Sequence, residues 1–229
     1  MTEHSLVPPE TRARIRSLAV PVALVAGRAG LTPNALTVIG FLGVCVAAGL
    51  AATGHWTTAG VVSLLFAAFD MLDGALARAT ARVSRFGAFL DSTLDRGGEG
   101  VLYAGIVAGT TAAASPLPAL AALAMISAFL VSYTRARAEG LGFGGDVGVA
   151  PRAERVVIMG IGLVVTGLTG GMAGASGAGG SIDLFGSRLS TSGGQPWLAA
   201  TLVILFALST ITVLQRVWHV RAQAHRVKE

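Results

Sequence analysis

Residues 70–96, DMLDGALARATARVSRFGAFLDSTLDR, set four aspartates among apolar runs, and no other stretch limits the fold as tightly. LLFAAF leads into Asp70, and VLYAGIVAG follows Asp95. Ionisable groups so close to membrane spans are expensive and mark functional sites. Asp70 and Asp73 are spaced by three residues, Asp91 and Asp95 by four. On a helix both spacings put two side chains on one face. Gly74 and Ala77 flank the first pair, and Gly87 lies one turn before the second. Small residues there let two helices approach until the four carboxylates converge. Such a cluster needs cations between its members or protons on them. Hard oxygen ligands suit Mg²⁺ or Mn²⁺, and a pair of such ions suits phosphoryl transfer to or from a diphosphate. A solvated helix face, the plainer alternative, conflicts with the apolar flanks.

The rest of the chain obeys the same constraint. Hydrophobic residues make up 53% and charged residues 13%, with a mean hydropathy of +0.69. Those values lie outside the range of soluble domains and point to an integral membrane protein with one domain. The expected fold is all-α, with six transmembrane helices around a cytoplasm-facing polar cavity. The spans fall at about 35–53, 57–80, 86–112, 117–138, 152–170 and 196–216. Residues 8–30 alternate basic and apolar positions at helical spacing between Pro8-Pro9 and Gly30. They read as an amphipathic helix on the membrane surface. The organisation is therefore a juxtamembrane segment at 1–30, the membrane domain at 31–219 and a basic tail at 220–229.

Sixteen of the 17 basic residues fall in the N-terminal region, the turn between spans 2 and 3, the region between spans 4 and 5, the tail, or adjoining span ends. Only Arg188 lies in the other set of loops. The excess of basic residues in cytoplasmic loops puts both termini and the aspartates on the cytoplasmic side of the cell membrane. Residues 139–150 form a glycine-rich cytoplasmic loop, and 170–195 an external one. No cleavable signal peptide is visible among the first thirty residues. The single Cys45 excludes an internal disulfide. His4, His219 and His225 read as solvated, and His55 and Trp56 as interfacial. The basic loops suit a lipid surface, and nucleic-acid binding is not expected.

The pattern D-x2-D-G-x2-A-R-x8-G-x3-D-x3-D is met at Asp70, Asp73, Gly74, Ala77, Arg78, Gly87, Asp91 and Asp95. It resembles the signature of the CDP-alcohol phosphotransferases, integral membrane enzymes of phospholipid synthesis. The resemblance implies six spans, a homodimer, and attack of an alcohol on the β-phosphorus of a CDP-linked donor with release of CMP. By motif position it implies Asp70, Asp73, Asp91 and Asp95 as ligands of two Mg²⁺ or Mn²⁺ ions. Asp95 is also the implied general base, kept ionised by the cations around it. Gly74 would permit close approach of the nucleotide, and Arg78 offers a fork to phosphate. Thr32-Pro33-Asn34 suits a helix start on capping grounds alone. The resemblance of TPN-x-L-T to the family pattern adds a donor-binding role for Pro33, Asn34, Ala35, Leu36 and Thr37 at that helix terminus. Ser84 reads either as a donor contact or as an ordinary turn residue.

Arg135, Arg137, Arg152 and Arg155 flank the loop between spans 4 and 5. They either contact lipid headgroups or form an anion pocket for an acceptor that bears a phosphate. SYTRARAE and PRAER resemble segments of the phosphatidylinositol-phosphate synthases, which join CDP-diacylglycerol to inositol phosphate. That resemblance implies acceptor-phosphate binding by these four arginines with Ser132. Arg135 stands where that subfamily leads one to expect Lys. Glycerol phosphate as acceptor, or an ether-lipid donor, stays open. From a different class, a non-catalytic membrane protein with a divalent-ion site would also carry intramembrane carboxylates, but it has no evident use for the Gly74–Ala77–Arg78 pattern.

Overall fold

In the computed structural model, residues 20–111, 115–172, 180–184 and 186–226 are described. Among them are six long helices: α1 (Pro33–Ala52), α2 (Trp56–Ala79), α3 (Arg85–Thr110), α4 (Leu117–Gly140), α5 (Arg152–Leu168) and α6 (Gln195–Arg226). Residues 20–28 are helical as well. The starts follow local chemistry. Thr32 caps α1, its hydroxyl accepting from Ala35 N at 3.2 Å, with Pro33 in the first turn where its missing N–H costs nothing. Ser84 caps α3 by accepting from Gly87 N at 2.9 Å. Pro116 and Pro151 precede α4 and α5.

The helices close into a ring in the order α1, α2, α5, α6, α4, α3 and back to α1. The larger apolar core fills one end of that ring. It joins Ala47, Ala48 and Ala51 of α1 to Trp56 and Ala59 of α2, and to Leu102, Tyr103 and Ile106 of α3. From the other side come Leu117 to Ala128 of α4, Met159 and Leu163 of α5, and Leu198 to Leu205 of α6. Leu189 of a short antiparallel hairpin, β1 (Ser181–Leu184) with β2 (Ser187–Ser190), packs onto the same core. Residues 170–195, expected as an external loop, contain this paired segment, with Gly186 at φ +74° in its turn. A smaller cluster of Ala23, Leu36, Ala75 and Leu76 fastens the helical residues 20–28 to α1 and α2.

Four helices, α1, α2, α4 and α6, are long and apolar enough to cross a membrane. The chain is a membrane protein. α3 carries Asp91, Asp95, Arg96 and Glu99 along its length, and α5 has 17 residues with Arg152, Glu154 and Arg155 in its first turn. α6 continues to Arg226, ten residues past the expected end of the sixth span, because no Gly or Pro interrupts its basic end. Most of the expected amphipathic segment, residues 8–19, lies outside the described residues. In its remainder, Val20, Val22 and Val25 are exposed while Ala23 is buried.

Small residues set the helix separations, as they do in membrane bundles. A Cβ on Gly105 would strike the Ala48 backbone, and one on Gly109 the Ala51 carbonyl, so α1 and α3 touch main chain to main chain. Gly49 of α1 faces open space. Gly105→Leu should therefore destabilise the protein by about 1–3 kcal/mol through overpacking. Gly49→Ala should be neutral or stabilising by up to about 1 kcal/mol. Thermal unfolding of the two variants in detergent checks the contrast.

Candidate active site

The end of the ring opposite the large core holds the carboxylates. Asp70 sits just past the middle of α2, and Asp91 and Asp95 stand one turn apart in the first half of α3. Each presents a carboxylate oxygen within 4.8 Å of the others. At that spacing two like charges repel by about 3.5 kcal/mol at an effective dielectric constant of about 20. The first residue of α5 answers part of that repulsion. Arg152 Nη1 lies 2.6 Å from Asp70 Oδ2 and 2.7 Å from Asp95 Oδ2, which ties α5 to both α2 and α3. Arg96 adds a longer contact of 3.8 Å to Asp95.

Asp73, the fourth aspartate of the motif, is held differently. It is buried, accepts from the Thr37 hydroxyl at 2.5 Å and accepts from the Gly74 N–H at 2.5 Å. Three carboxylates therefore share one point, and the fourth ties α2 to the first turn of α1.

A cavity runs inward from this cluster. Asp70, Asp95, Glu99, Arg152 and Arg155 line its polar part, and Thr37, Phe41, Phe66, Leu102, Tyr103 and Met159 contribute to the remainder. Its walls come from α1, α2, α3 and α5.

The other expected site residues fall into groups. Thr37 lines the cavity, whereas Leu36 is buried in the small cluster beside Ala23 and Leu76. Asn34 turns its side-chain oxygen toward Gly87, where a Cβ would come within 3.2 Å of it. Ala35 gives its N–H to the Thr32 cap. Pro33 borders a second hollow beside the helical residues 20–28, with Arg28 and Arg82 at its edge. The guanidinium of Arg78 folds back over Gly74, and a Cβ there would lie 3.2 Å from Arg78 Nη1. Ser84 is exposed and caps α3.

The four arginines expected as an anion pocket do not form one group. Arg152 meets the carboxylates. Arg155, with a side chain 1% exposed, is forked onto Glu99: Nε and Nη2 donate to the two carboxylate oxygens at 3.0 Å each. Its Nη1 donates to Ala150 O at 3.1 Å. Arg135 pairs with Glu139 at 2.8 Å and with Asp146 at 3.0 Å. Arg137 is exposed and Ser132 half-buried on α4, and neither lines the cavity. Glu99 is a site residue that the motif does not contain. Asp91, Asp95 and Glu99 continue one stripe at intervals of four, and that repeat is the signal that points to it.

Residues 30–178 match the family model described as CDP-alcohol phosphatidyltransferase. The phosphatidylinositol phosphate synthase of Mycobacteroides abscessus is 41% identical over 161 residues, covering 69% of this chain and 72% of that protein. The archaetidylinositol phosphate synthase of Methanothermobacter thermautotrophicus is 37% identical over 198 residues, covering 86% of each. Among solved structures, the fold resembles Mycobacterium tuberculosis phosphatidylinositol phosphate synthase with CDP-DAG bound. The TM-score is 0.73 at 29% identity, covering 89% of this chain and 94% of that one. The same enzyme in complex with manganese and citrate gives 0.73 at 30% identity, covering 88% of each chain.

The buried Arg155–Glu99 pair makes a prediction of its own. Glu99→Ala leaves a guanidinium buried beside an apolar wall and should lower stability by about 3 kcal/mol or more. The double variant Glu99→Leu/Arg155→Met, which removes both charges, should regain most of that loss, as read by thermal unfolding in detergent.

Proposed function

The chain belongs to the CDP-alcohol phosphatidyltransferase family, and from that premise we propose that it moves the phosphatidyl group of CDP-diacylglycerol onto inositol phosphate with release of CMP. One observation carries the family chemistry to these residues. Asp70, Asp91 and Asp95 converge, and Asp70 and Asp95 line a cavity together with Arg152 and Arg155. The acceptor reading rests on the relatives, named as synthases of inositol phosphate lipids with two different lipid moieties. CDP-diacylglycerol as donor is supported by the complex of the Mycobacterium tuberculosis enzyme.

The carboxylates fit a divalent metal. Three hard oxygen donors gather within 4.8 Å, and one shared guanidinium leaves them with an excess of negative charge. We assign Asp70, Asp91 and Asp95 as ligands of Mg²⁺ or Mn²⁺, with Asp73 joining them by motif position. The manganese complex of the structural neighbour supports that assignment. The bound cations would neutralise the diphosphate and the CMP leaving group.

Asp95 then takes the proton from the acceptor hydroxyl. That oxygen forms the new bond to the β-phosphorus, and the phosphorus–oxygen bond to CMP breaks with the electron pair leaving on CMP. Thr37, Gly74 and Arg78, grouped near the start of α1 and the end of α2, are the donor-side residues of this proposal. Thr37 also holds the Asp73 carboxylate at 2.5 Å. Arg152 and Arg155 supply positive charge toward the acceptor phosphate.

We further propose six crossings with both termini and the cavity mouth cytoplasmic. The closed ring of six helices supports the count, and the gathering of basic residues at the carboxylate end supports the orientation.

CMP release from purified protein with CDP-diacylglycerol and Mg²⁺ tests the reading. Turnover is expected with inositol phosphate and not with glycerol phosphate, inositol or serine. Turnover with glycerol phosphate instead would move the acceptor, and no release with any of them would remove the transferase. Asp95→Asn should lower turnover about a hundredfold or more while the protein stays folded. Chelation with EDTA should abolish CMP release, and added Mg²⁺ or Mn²⁺ should restore it.

A further inference from the structure

The loop that leads into Arg152 and Arg155, residues 141–151, is fastened to the C-terminal half of α6. The side chains that hold it have no part in the chemistry above. Thr212 Oγ1 accepts from Ala150 N at 3.1 Å and donates to Leu208 O within its own helix. Gln215 Oε1 accepts from Val149 N at 3.1 Å. Arg216 Nε donates to Val147 O at 2.8 Å, and its Nη1 donates to Val131 O on α4. Two turns further, Gln223 grips Gly144 from both sides, accepting from its N–H at 2.9 Å and donating to its carbonyl at 2.8 Å. Positions 212, 215, 216 and 223 fall on one side of α6. At Gly148, φ is +134°, and a Cβ there would strike Thr212.

Two physical points give this arrangement weight. A loop containing Gly142, Gly144, Gly145 and Gly148 has a large backbone entropy and does not keep one shape by itself. Arg216 is 5% exposed, and both acceptors named for it are main-chain carbonyls. A permanently charged guanidinium is taken out of water at considerable expense, and here its fork joins three segments: α6, the loop and, at Val131, the second half of α4. The connection continues to the site. Ala150, whose N–H is held by Thr212, receives Arg155 Nη1 on its carbonyl at 3.1 Å. Arg155 is forked onto Glu99 of α3, and Arg152, one turn earlier on α5, bridges Asp70 and Asp95.

We propose that Thr212, Gln215 and Arg216 are positioning residues for the acceptor side of the reaction. They hold residues 147–150 so that α5 presents Arg152 and Arg155 to the carboxylate end of the cavity. This inference rests on the function proposed above for the meaning of "acceptor side". The clasp itself does not depend on it.

The test uses the full chain in lipid nanodiscs and variants that keep side-chain size: Thr212→Val, Gln215→Leu, Arg216→Met and Arg216→Lys. Hydrogen exchange of the Val149 and Ala150 amides is measured without substrates, and CMP release is measured with both substrates varied. Gln215→Leu should speed exchange at Val149, and Thr212→Val at Ala150, each by about fivefold, as expected for one lost hydrogen bond. The KM for the phosphorylated acceptor should rise by a similar factor, about fivefold, while the KM for CDP-diacylglycerol stays within about twofold. Arg216→Met should show the larger effect and Arg216→Lys partial recovery. If Arg216→Met does not fold, the two neutral variants decide the matter. Unchanged exchange at both amides overturns the clasp, and equal changes in the KM of both substrates overturn the acceptor-side role. If the wild type turns over with another phosphorylated acceptor, the function proposed above is corrected and the same comparison is made with that acceptor. If it turns over with none, that function falls, and the acceptor-side role falls with it. The exchange rates still decide the clasp.

Discussion

Repulsion among Asp70, Asp91 and Asp95 is the constraint on which the carboxylate end of this protein depends. Asp70 opposes Asp91 and Asp95 across the gap between α2 and α3, two helices that both pack on α1 and do not pack on each other, and Asp91 opposes Asp95 within α3. Arg152 offsets it by reaching two of the three carboxylates with one nitrogen. One point charge cannot balance three, so the site is left with an affinity for further positive charge. A divalent cation and a cationic side chain are alternative answers to the same electrostatic demand. The proposed reaction adds the demand that substrate phosphates be held at the same place.

That demand explains why the structure is divided lengthwise. The end carrying Ala47 to Ala51, Leu102 to Ile106 and Leu198 to Leu205 is packed by apolar contact, with main chains touching at Gly105 and Gly109. The other end is held by charge and hydrogen bonds: Thr37 to Asp73, Arg155 to Glu99, Arg152 to Asp70 and Asp95. Apolar packing needs no particular partner and tolerates lipid outside it. The polar end needs each group matched, because an unmatched one loses its hydration without return.

Much of this was legible in the sequence, and what was not has a physical reason. The intervals of three and four between aspartates place side chains on a helix face, and of the four carboxylates expected to converge, Asp70, Asp91 and Asp95 do. The intervals cannot tell that Asp73 turns toward Thr37, because that depends on a helix 36 positions away. The four arginines around the loop between α4 and α5 were visible as a cluster in sequence, but their partners were not. Arg135 pairs with Glu139 and Asp146, Arg155 with Glu99, and Arg152 with Asp70 and Asp95, and all of these partners but Glu139 are set by tertiary packing. The start of α1 at Thr32-Pro33 was readable because caps act locally. The extension of α6 was less so, since hydropathy falls where the helix leaves the apolar layer while helix propensity does not.

That extension gives α6 two roles along its length. Its first half, from Leu198 to Leu205, is apolar packing for the core. Its second half, from Thr212 onward, is a polar template on which a glycine-rich loop is laid through main-chain bonds. A glycine-rich loop can hug a helix closely where bulkier residues would be held off, as at Gly148 against Thr212. The same freedom means that the loop's shape must be imposed by side chains from elsewhere. α5 begins directly after that loop with Pro151-Arg152, so the position of α5's first turn relative to the carboxylates is set jointly by Glu99 on one side and α6 on the other. A site built between four helices is in this way referred to a fifth that lines none of its cavity.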